Sequence, residues 1–335
     1  MSVMPNSQLT QQESTKNQYR LNHDRIARLA GALDITATNA EVSPQRVAAF
    51  YLNQEASWSQ ATARLYRASL AFVFKEKSDE ASREAHDILF GVGEEPELLW
   101  QRREELRAKR KQRCRIDPRT SAQKSKSLKP EDRRLLFVAL DVWRSRYASV
   151  LKTWLLAGPL TGLRPAEWEH ALLTSDRDSQ LVLLVRNAKN SNGRAHGTHR
   201  TIELGAFSED QILILRVHLQ NVRIYINESS FTQMYEHCRK LLQRVTTALW
   251  PRRLKRPTLY TARHIFAADA KVSHDRIAVA AMMGHASTET AYSHYGKRHT
   301  GSSGMAARPN ASDMEAVLKR NTKANDMRTR RTMGS

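Results

Sequence analysis

Thr161-Gly162-Leu163-Arg164-Pro165-Ala166-Glu167-Trp168 is the stretch on which the fold turns. Gly162 can take the left-handed conformation that ends a helix, and Pro165 suits the first position of the next one. Arg164 is thereby placed at a helix junction rather than on a solvated helix face. Upstream, a long apolar helix covers residues 147–157. Downstream, Leu181-Val182-Leu183-Leu184-Val185 reads as a strand and residues 198–204 as its returning partner. Between them lies a polar turn holding Lys189, Asn190, Asn192 and Gly193. Helical spacing resumes over residues 208–222, 231–249, 260–271, 275–283 and 287–295. A hairpin set among helices predicts a chain that is mainly α with a small β-sheet or hairpin.

The rest of the chain divides around this region. Residues 1–18 are rich in Ser, Thr, Gln and Asn and predict a disordered start. Residues 19–101 carry only helical patterns, over 22–33, from Ser43-Pro44, from Ser59 and over 82–90. In the third of these, Ala61, Leu65, Ala68 and Phe72 are spaced by fours and threes and predict the buried face. Residues 102–126 contain the basic block Arg107-Ala108-Lys109-Arg110-Lys111-Gln112-Arg113-Cys114-Arg115 and read as a flexible interdomain linker that also crosses a polyanion. A second domain is expected over 127–300, opened by Lys129-Pro130-Glu131-Asp132, whose acids suit a helix N-terminus. Residues 301–335 form a basic tail with a short helix at 312–320.

Charge narrows the function. The 335 residues carry a formal net charge of +20, with 40% hydrophobic residues for cores. Such a surplus favours a polyanionic partner, because each phosphate neutralised releases counterions. A basic RNA-associated structural protein is the plainer alternative. The two cysteines, Cys114 and Cys238, are far apart and predict neither a disulfide framework nor a metal site. No apolar run reaches the roughly 20 residues of a membrane span. The first residues lack the hydrophobic region of a signal peptide, and an intracellular protein is expected.

Three further stretches join the first. Ala262-Arg263-His264-Ile265-Phe266-Ala267, Met283-Gly284-His285 and His294-Tyr295-Gly296 follow in order, with Glu167 three residues after Arg164. Together with Thr161–Arg164 and the hairpin lysine Lys189, they resemble the catalytic boxes of the tyrosine recombinase (phage integrase) family, over most of residues 127–298. The resemblance implies a helical core-binding domain followed by an α+β catalytic domain. It also implies a site made of Arg164, Lys189, Arg263, His285 and the nucleophile Tyr295, supported by Glu167, Tyr260 and His264.

The residue types suit that chemistry. Two guanidiniums can clamp the phosphoryl oxygens on which charge gathers during attack on a phosphodiester. A phenol can attack and hold the bond as a covalent phosphotyrosine. A lysine on a hairpin can protonate the leaving oxygen. As nucleophile, phenol chemistry accepts Tyr292 or Tyr295; the family's spacing after its Gly-His pair favours Tyr295. Each residue also has a plainer use: Arg164 or His285 as a helix cap, Arg263 in a surface pair with Asp269. At Tyr260 the chain departs from the family's usual histidine. A tyrosine can donate to a phosphate oxygen but is not a cation near neutral pH.

What the resemblance implies about partners is double-stranded DNA with inverted half-sites, bound by a dimer at each site and a tetramer in synapsis. Neither cofactor nor metal is implied. The setting would be the bacterial cytoplasm or a mobile element, and the task integration, excision or resolution. The tail would dock on a neighbouring protomer or touch DNA. The same chemistry also serves telomere resolvases and type IB topoisomerases, and a regulator of this fold could bind DNA without cutting it.

Overall fold

The structure is a computed structural model, and it describes residues 13–32, 42–116, 124–188, 190 and 195–333. The chain forms two compact units, Met1–Thr120 and Ser121–Ser335. Among the described residues the fold is mainly helical, with one four-stranded antiparallel sheet. No described helix is long and apolar enough to cross a membrane.

Among its described residues the first unit holds five α-helices: α1 (Glu13–Ala32), α2 (Pro44–Gln54), α3 (Gln60–Lys77), α4 (Glu80–Phe90) and α5 (Pro96–Ile116). Local chemistry sets their starts. Ser43, Ser59 and Asp79 cap α2, α3 and α4 by accepting from Arg46, Thr62 and Ser82 backbone N–H groups. Ile26, Val47, Tyr51, Tyr66, Leu70, Phe74, Ala85 and Leu89 make the core.

Three expectations fail in this unit. The disorder expected up to residue 18 fails over residues 13–18, where α1 begins at Glu13, and residues 1–12 lie outside the described residues. Arg20 bonds Glu76 at 2.5 Å and Tyr19 packs on Phe72, so a polar segment gains a surface to fold against. The buried face of α3 is Ala63, Tyr66, Leu70 and Phe74, while Ala61, Leu65 and Ala68 face solvent. Two apolar stripes compete on this helix, and the one carrying two aromatics removes more area from water. The basic linker is helical in α5 up to Ile116. Its arginines, lysines and glutamates are good helix formers that pair along the helix, Arg107 with Glu104 and Lys109 with Glu105. Arg110 also reaches buried Glu55 at 3.0 Å. Residues 117–123 and the Cys114 side chain lie outside the described residues.

The second unit already includes residues 124–126. The Ser125 N–H donates to the Arg256 carbonyl, and Thr261 Oγ1 donates to the Ser125 carbonyl. Then come α6 (Pro130–Val142), α7 (Ala148–Thr161), β1 (Leu172–Ser175), β2 (Leu181–Arg186) and β3 (His199–Glu203). They are followed by α8 (Glu209–Glu228), α9 (Phe231–Leu249), α10 (Thr261–Ser273), α11 (Arg276–Met282), α12 (Thr288–His294), β4 (Arg308–Pro309) and α13 (Ala311–Met333). The apolar helix α7 is buried along most of its length, with Trp154, Leu151 and Leu155 in the same core as Leu183, Val185, Ile202, Leu242 and Phe266. Cys238 is buried in this core as a small apolar residue.

The expected hairpin is β2 against β3, with Leu183 opposite Ile202. The sheet runs β1-β2-β3-β4. The tail is more ordered than its composition predicts. β4 extends the sheet, and α13 runs to Met333 on its own unit, seating Val317 against Ala280 and Ala281. Asp313 accepts the Thr201 N–H at 2.7 Å, which ties the start of α13 to β3.

Candidate active site

Four chain segments deliver the site, and each is aimed by local backbone chemistry. α7 stops at Gly162, whose φ of +65° is left-handed. A Cβ there would overlap the Phe266 ring. The chain leaves extended at Arg164 and enters a 3₁₀ turn, Pro165–His170. Glu167 folds back on Arg164: Oε2 accepts the Arg164 backbone N–H at 2.7 Å and Oε1 accepts Nη1 at 2.6 Å.

Tyr260 precedes the first turn of α10, which carries Arg263 and His264. α11 ends in a Schellman turn: His285 N–H donates to Ala280 O, Gly284 N–H to Ala281 O, and Gly284 is left-handed. α12 ends at Tyr295, and a Cβ at Gly296 would overlap the His264 carbonyl. Two lysines anchor the end of α12. Lys126 donates to His294 O at 3.2 Å and Lys271 to Gly296 O at 2.6 Å. The helix dipole favours cations there.

These segments bring Arg164, Glu167, Tyr260, Arg263, His264, His285 and Tyr295 together. Arg263 is fully buried and donates from Nη1 to Gly162 O at 2.5 Å and from Nη2 to Met283 O at 2.7 Å. Its Nη2 lies 3.1 Å from His285 Nε2, and its Nε donates to the Tyr295 hydroxyl at 3.2 Å. The Tyr260 and Tyr295 hydroxyls are 2.9 Å apart. The His264 and His285 rings each stand 5.3 Å from the Tyr295 ring. Tyr292 lies elsewhere, its ring faced by Lys271 at 4.9 Å and Arg276 at 4.6 Å. Lys189 lies outside the described residues. The preceding residue, Ala188, donates its N–H to Glu167 Oε1 at 3.3 Å.

One member had no role in the sequence reading. Arg200 on β3 is buried and donates from Nη2 to Glu167 Oε2 at 2.7 Å and from Nε to Met282 O at 2.7 Å; Nη1 donates to Asn187 Oδ1. The signal for it was period two. Arg200 shares the inward face of its strand with Ile202, and a buried charge requires a partner.

The electrostatics separate the titrating groups. Burial opposes ionisation of Glu167, but Arg200, Arg263 and Arg164 hold its carboxyl well below the ordinary range. Burial likewise resists ionisation of Tyr295, yet the charges of Arg263 and Arg164 and the bonds from Tyr260 and Arg263 carry its phenol below its usual value. Tyr260 moves the other way, pushed up to about 12 by burial. Burial, with Arg263, Arg164 and Arg200 nearby, keeps His285 neutral. Burial lowers His264 to about 4. Arginine cannot accept, so His285 Nε2 must accept from Arg263, which leaves the proton on Nδ1.

Two buried N–H donors, Arg164 Nε and His285 Nδ1, have no partner among the described residues. Three guanidiniums and one carboxylate leave this cluster at +2. A cluster with excess positive charge and unmet donors suits an anion with several acceptor oxygens. Among the described residues no three His, Cys, Asp or Glu side chains are grouped as a metal site requires. No known protein-family model matches the chain, and no curated protein matches it.

Proposed function

We propose that this protein is a tyrosine recombinase, which cuts and rejoins DNA strands through a 3′-phosphotyrosine formed on Tyr295. The observation that carries the proposal is the Tyr295 hydroxyl, held 3.2 Å from Arg263 Nε and 2.9 Å from the Tyr260 hydroxyl in a cluster of net positive charge. Phenols whose pKa values are driven apart take different roles. Tyr295 ionises by losing its proton to solvent, and Tyr260 stays protonated and donates to the resulting phenolate. That phenolate attacks phosphorus, the bond to the 5′ oxygen breaks, and the leaving alkoxide takes a proton, in this reading from Lys189. Arg164 Nε and the His285 Nδ1–H supply donors to the phosphoryl oxygens, and Arg263 adds its charge with Nε on the attacking oxygen. With this tautomer His285 is a donor and not a base. Attack by a 5′ hydroxyl on the phosphotyrosine reverses the step and rejoins the strand.

In this reading the first unit is the core-binding domain and the second the catalytic domain. The net charge of +20 supplies affinity through phosphate contacts. The substrate is duplex DNA with inverted half-sites, bound by a dimer and joined as a tetramer. Integration, excision or resolution of a mobile element is the corresponding task.

The test begins with selection of bound duplexes from random DNA. The recovered site is then nicked near the scissile position, so that cleavage is trapped. The unaltered protein and Tyr292→Phe should give an adduct that survives denaturant. Tyr295→Phe should bind the same DNA and give none. An adduct from Tyr295→Phe would move the nucleophile to Tyr292. Binding with no adduct from the unaltered protein would make it a DNA-binding regulator.

A further inference from the structure

We infer that Arg200 is a positioning residue for strand cleavage, which keeps the Glu167 carboxylate from capturing Arg263. This rests on the reaction proposed above. Arg200 has no described bond to Tyr295, Tyr260 or Arg164, so it acts through its neighbours. Its guanidinium joins three segments to β3: the 3₁₀ turn through Glu167, the end of β2 through Asn187, and the end of α11 through the Met282 carbonyl. The next carbonyl, Met283 O, holds Arg263. Asn187, held by the same guanidinium, stands two residues before Lys189 in the sequence.

The division of Glu167 between its donors shows what Arg200 does. Oε1 takes the Arg164 guanidinium and the Ala188 N–H. Oε2 takes the Arg164 backbone N–H and Arg200 Nη2 at 2.7 Å each. Arg263 Nη1 waits 3.7 Å from the same Oε2, engaged instead with Gly162 O. Without Arg200, that buried oxygen loses its charged donor. The nearest guanidinium is then Arg263. A shift of Arg263 toward Glu167 withdraws Nε from the Tyr295 hydroxyl and Nη2 from His285. Misplacement of about 1 Å at a reacting group costs on the order of 100-fold in rate.

The proposal predicts a pattern that a purely structural ion pair does not. Arg200→Gln should slow single-turnover adduct formation on the nicked duplex about 100-fold, with DNA affinity unchanged. Arg200→Lys keeps the charge but cannot span three acceptors, and should lie between that variant and the unaltered protein. Arg200→Gln with Glu167→Gln removes both the cation and the carboxylate that would capture Arg263, and restores the cluster to +2. This double variant should cleave about tenfold faster than Arg200→Gln alone, a coupling of the kind shown by residues in direct contact. If Arg200→Gln does not fold, as judged by its melting curve, the comparison runs between Arg200→Lys and Arg200→Lys with Glu167→Gln. Cleavage within twofold of normal in Arg200→Lys, or a double variant no faster than its arginine-substituted parent, overturns the inference. Absence of any adduct from the unaltered protein instead overturns the reaction, and is read without any variant.

Discussion

His218 should make the second unit acid-labile well above the range where carboxylates titrate. The side chain is fully buried on α8, edge-on to Trp168 at 4.5 Å and 5.5 Å from Trp154. Its Nδ1 bonds Thr153 Oγ1 at 3.1 Å, and its Nε2 is buried with no partner among the described residues. Burial lowers its pKa to about 3. An unfolded imidazole titrates near 6.5. The folded value is the lower one, so the unfolded chain takes up the proton first. The stability held by neutral His218 is therefore complete above pH ~6.5 and drains away as the pH falls toward ~3. At ~1.4 kcal/mol per pH unit the loss is about 2 kcal/mol by pH ~5, and about 5 kcal/mol over the whole interval. The consequence reaches the site, because Trp168 follows Glu167 in the same 3₁₀ turn. The assay is urea unfolding of the full chain, followed by tryptophan fluorescence at pH ~8 and ~5, for the unaltered protein and His218→Phe. Phenylalanine fills the slot without a proton site, and any packing cost it brings is independent of pH. His285, His264, His196 and His274 are also depressed by burial and remain in both proteins. The variant should lose about 2 kcal/mol less than the unaltered protein between those two pH values. Equal losses would refute the assignment of a buried neutral imidazole.

Other consequences can be checked alongside. Gly162→Ala forces a left-handed alanine and drives a methyl into Phe266, and should lower stability by about 2–5 kcal/mol in thermal melts; an unchanged melt would deny the close approach of α7 and α10. Tyr292→Phe removes a hydroxyl with no described hydrogen bond and should change stability by no more than about 0.5 kcal/mol, measured in the same urea titrations. Because the Tyr295 phenol ionises below its ordinary value, the cleavage rate should rise with pH and level off below ~10. Tyr260→Phe removes a hydrogen bond that lowers this phenol and should move the rise to higher pH, and an unmoved profile would show that the two hydroxyls are not coupled.

Some of this architecture is legible because it is decided within a few residues. Gly162 and Pro165 act through their own backbone angles, and Ser43 and Ser59 cap helices that begin beside them. The hairpin follows from alternation along β2 and β3. Helices that the sequence reading misses or cuts short are those where charge suggests solvation: residues 102–116 read as linker, and in the tail only 312–320 as helix. α5 and α13 are rich in arginine and lysine, yet these residues favour helix, and Arg110 and Asp313 find partners far along the chain. β1 and β4 have four and two residues, too short for a period-two pattern to stand out.

The site divides the same way. Arg164, Arg263, His285 and Tyr295 lie in short motifs whose order can be read, but nothing local indicates that the carboxylate among them needs a third arginine. That need follows from the charges. In the proposed reaction two guanidiniums aimed at one phosphate repel each other, and a buried carboxylate between them relieves the repulsion while spending their donors on itself. Glu167 can relieve the pair without consuming it only if another cation takes up its remaining capacity, and that cation must be too deeply set to reach the phosphate itself. Arg200 is buried and bonded on three sides, with Nη2 on Glu167. With Arg200 in place, Arg164 keeps Nε unspent and Arg263 keeps Nε on the Tyr295 hydroxyl. Three arginines and one glutamate thus hold two guanidiniums still while leaving them free to act, which two arginines and a glutamate would not do.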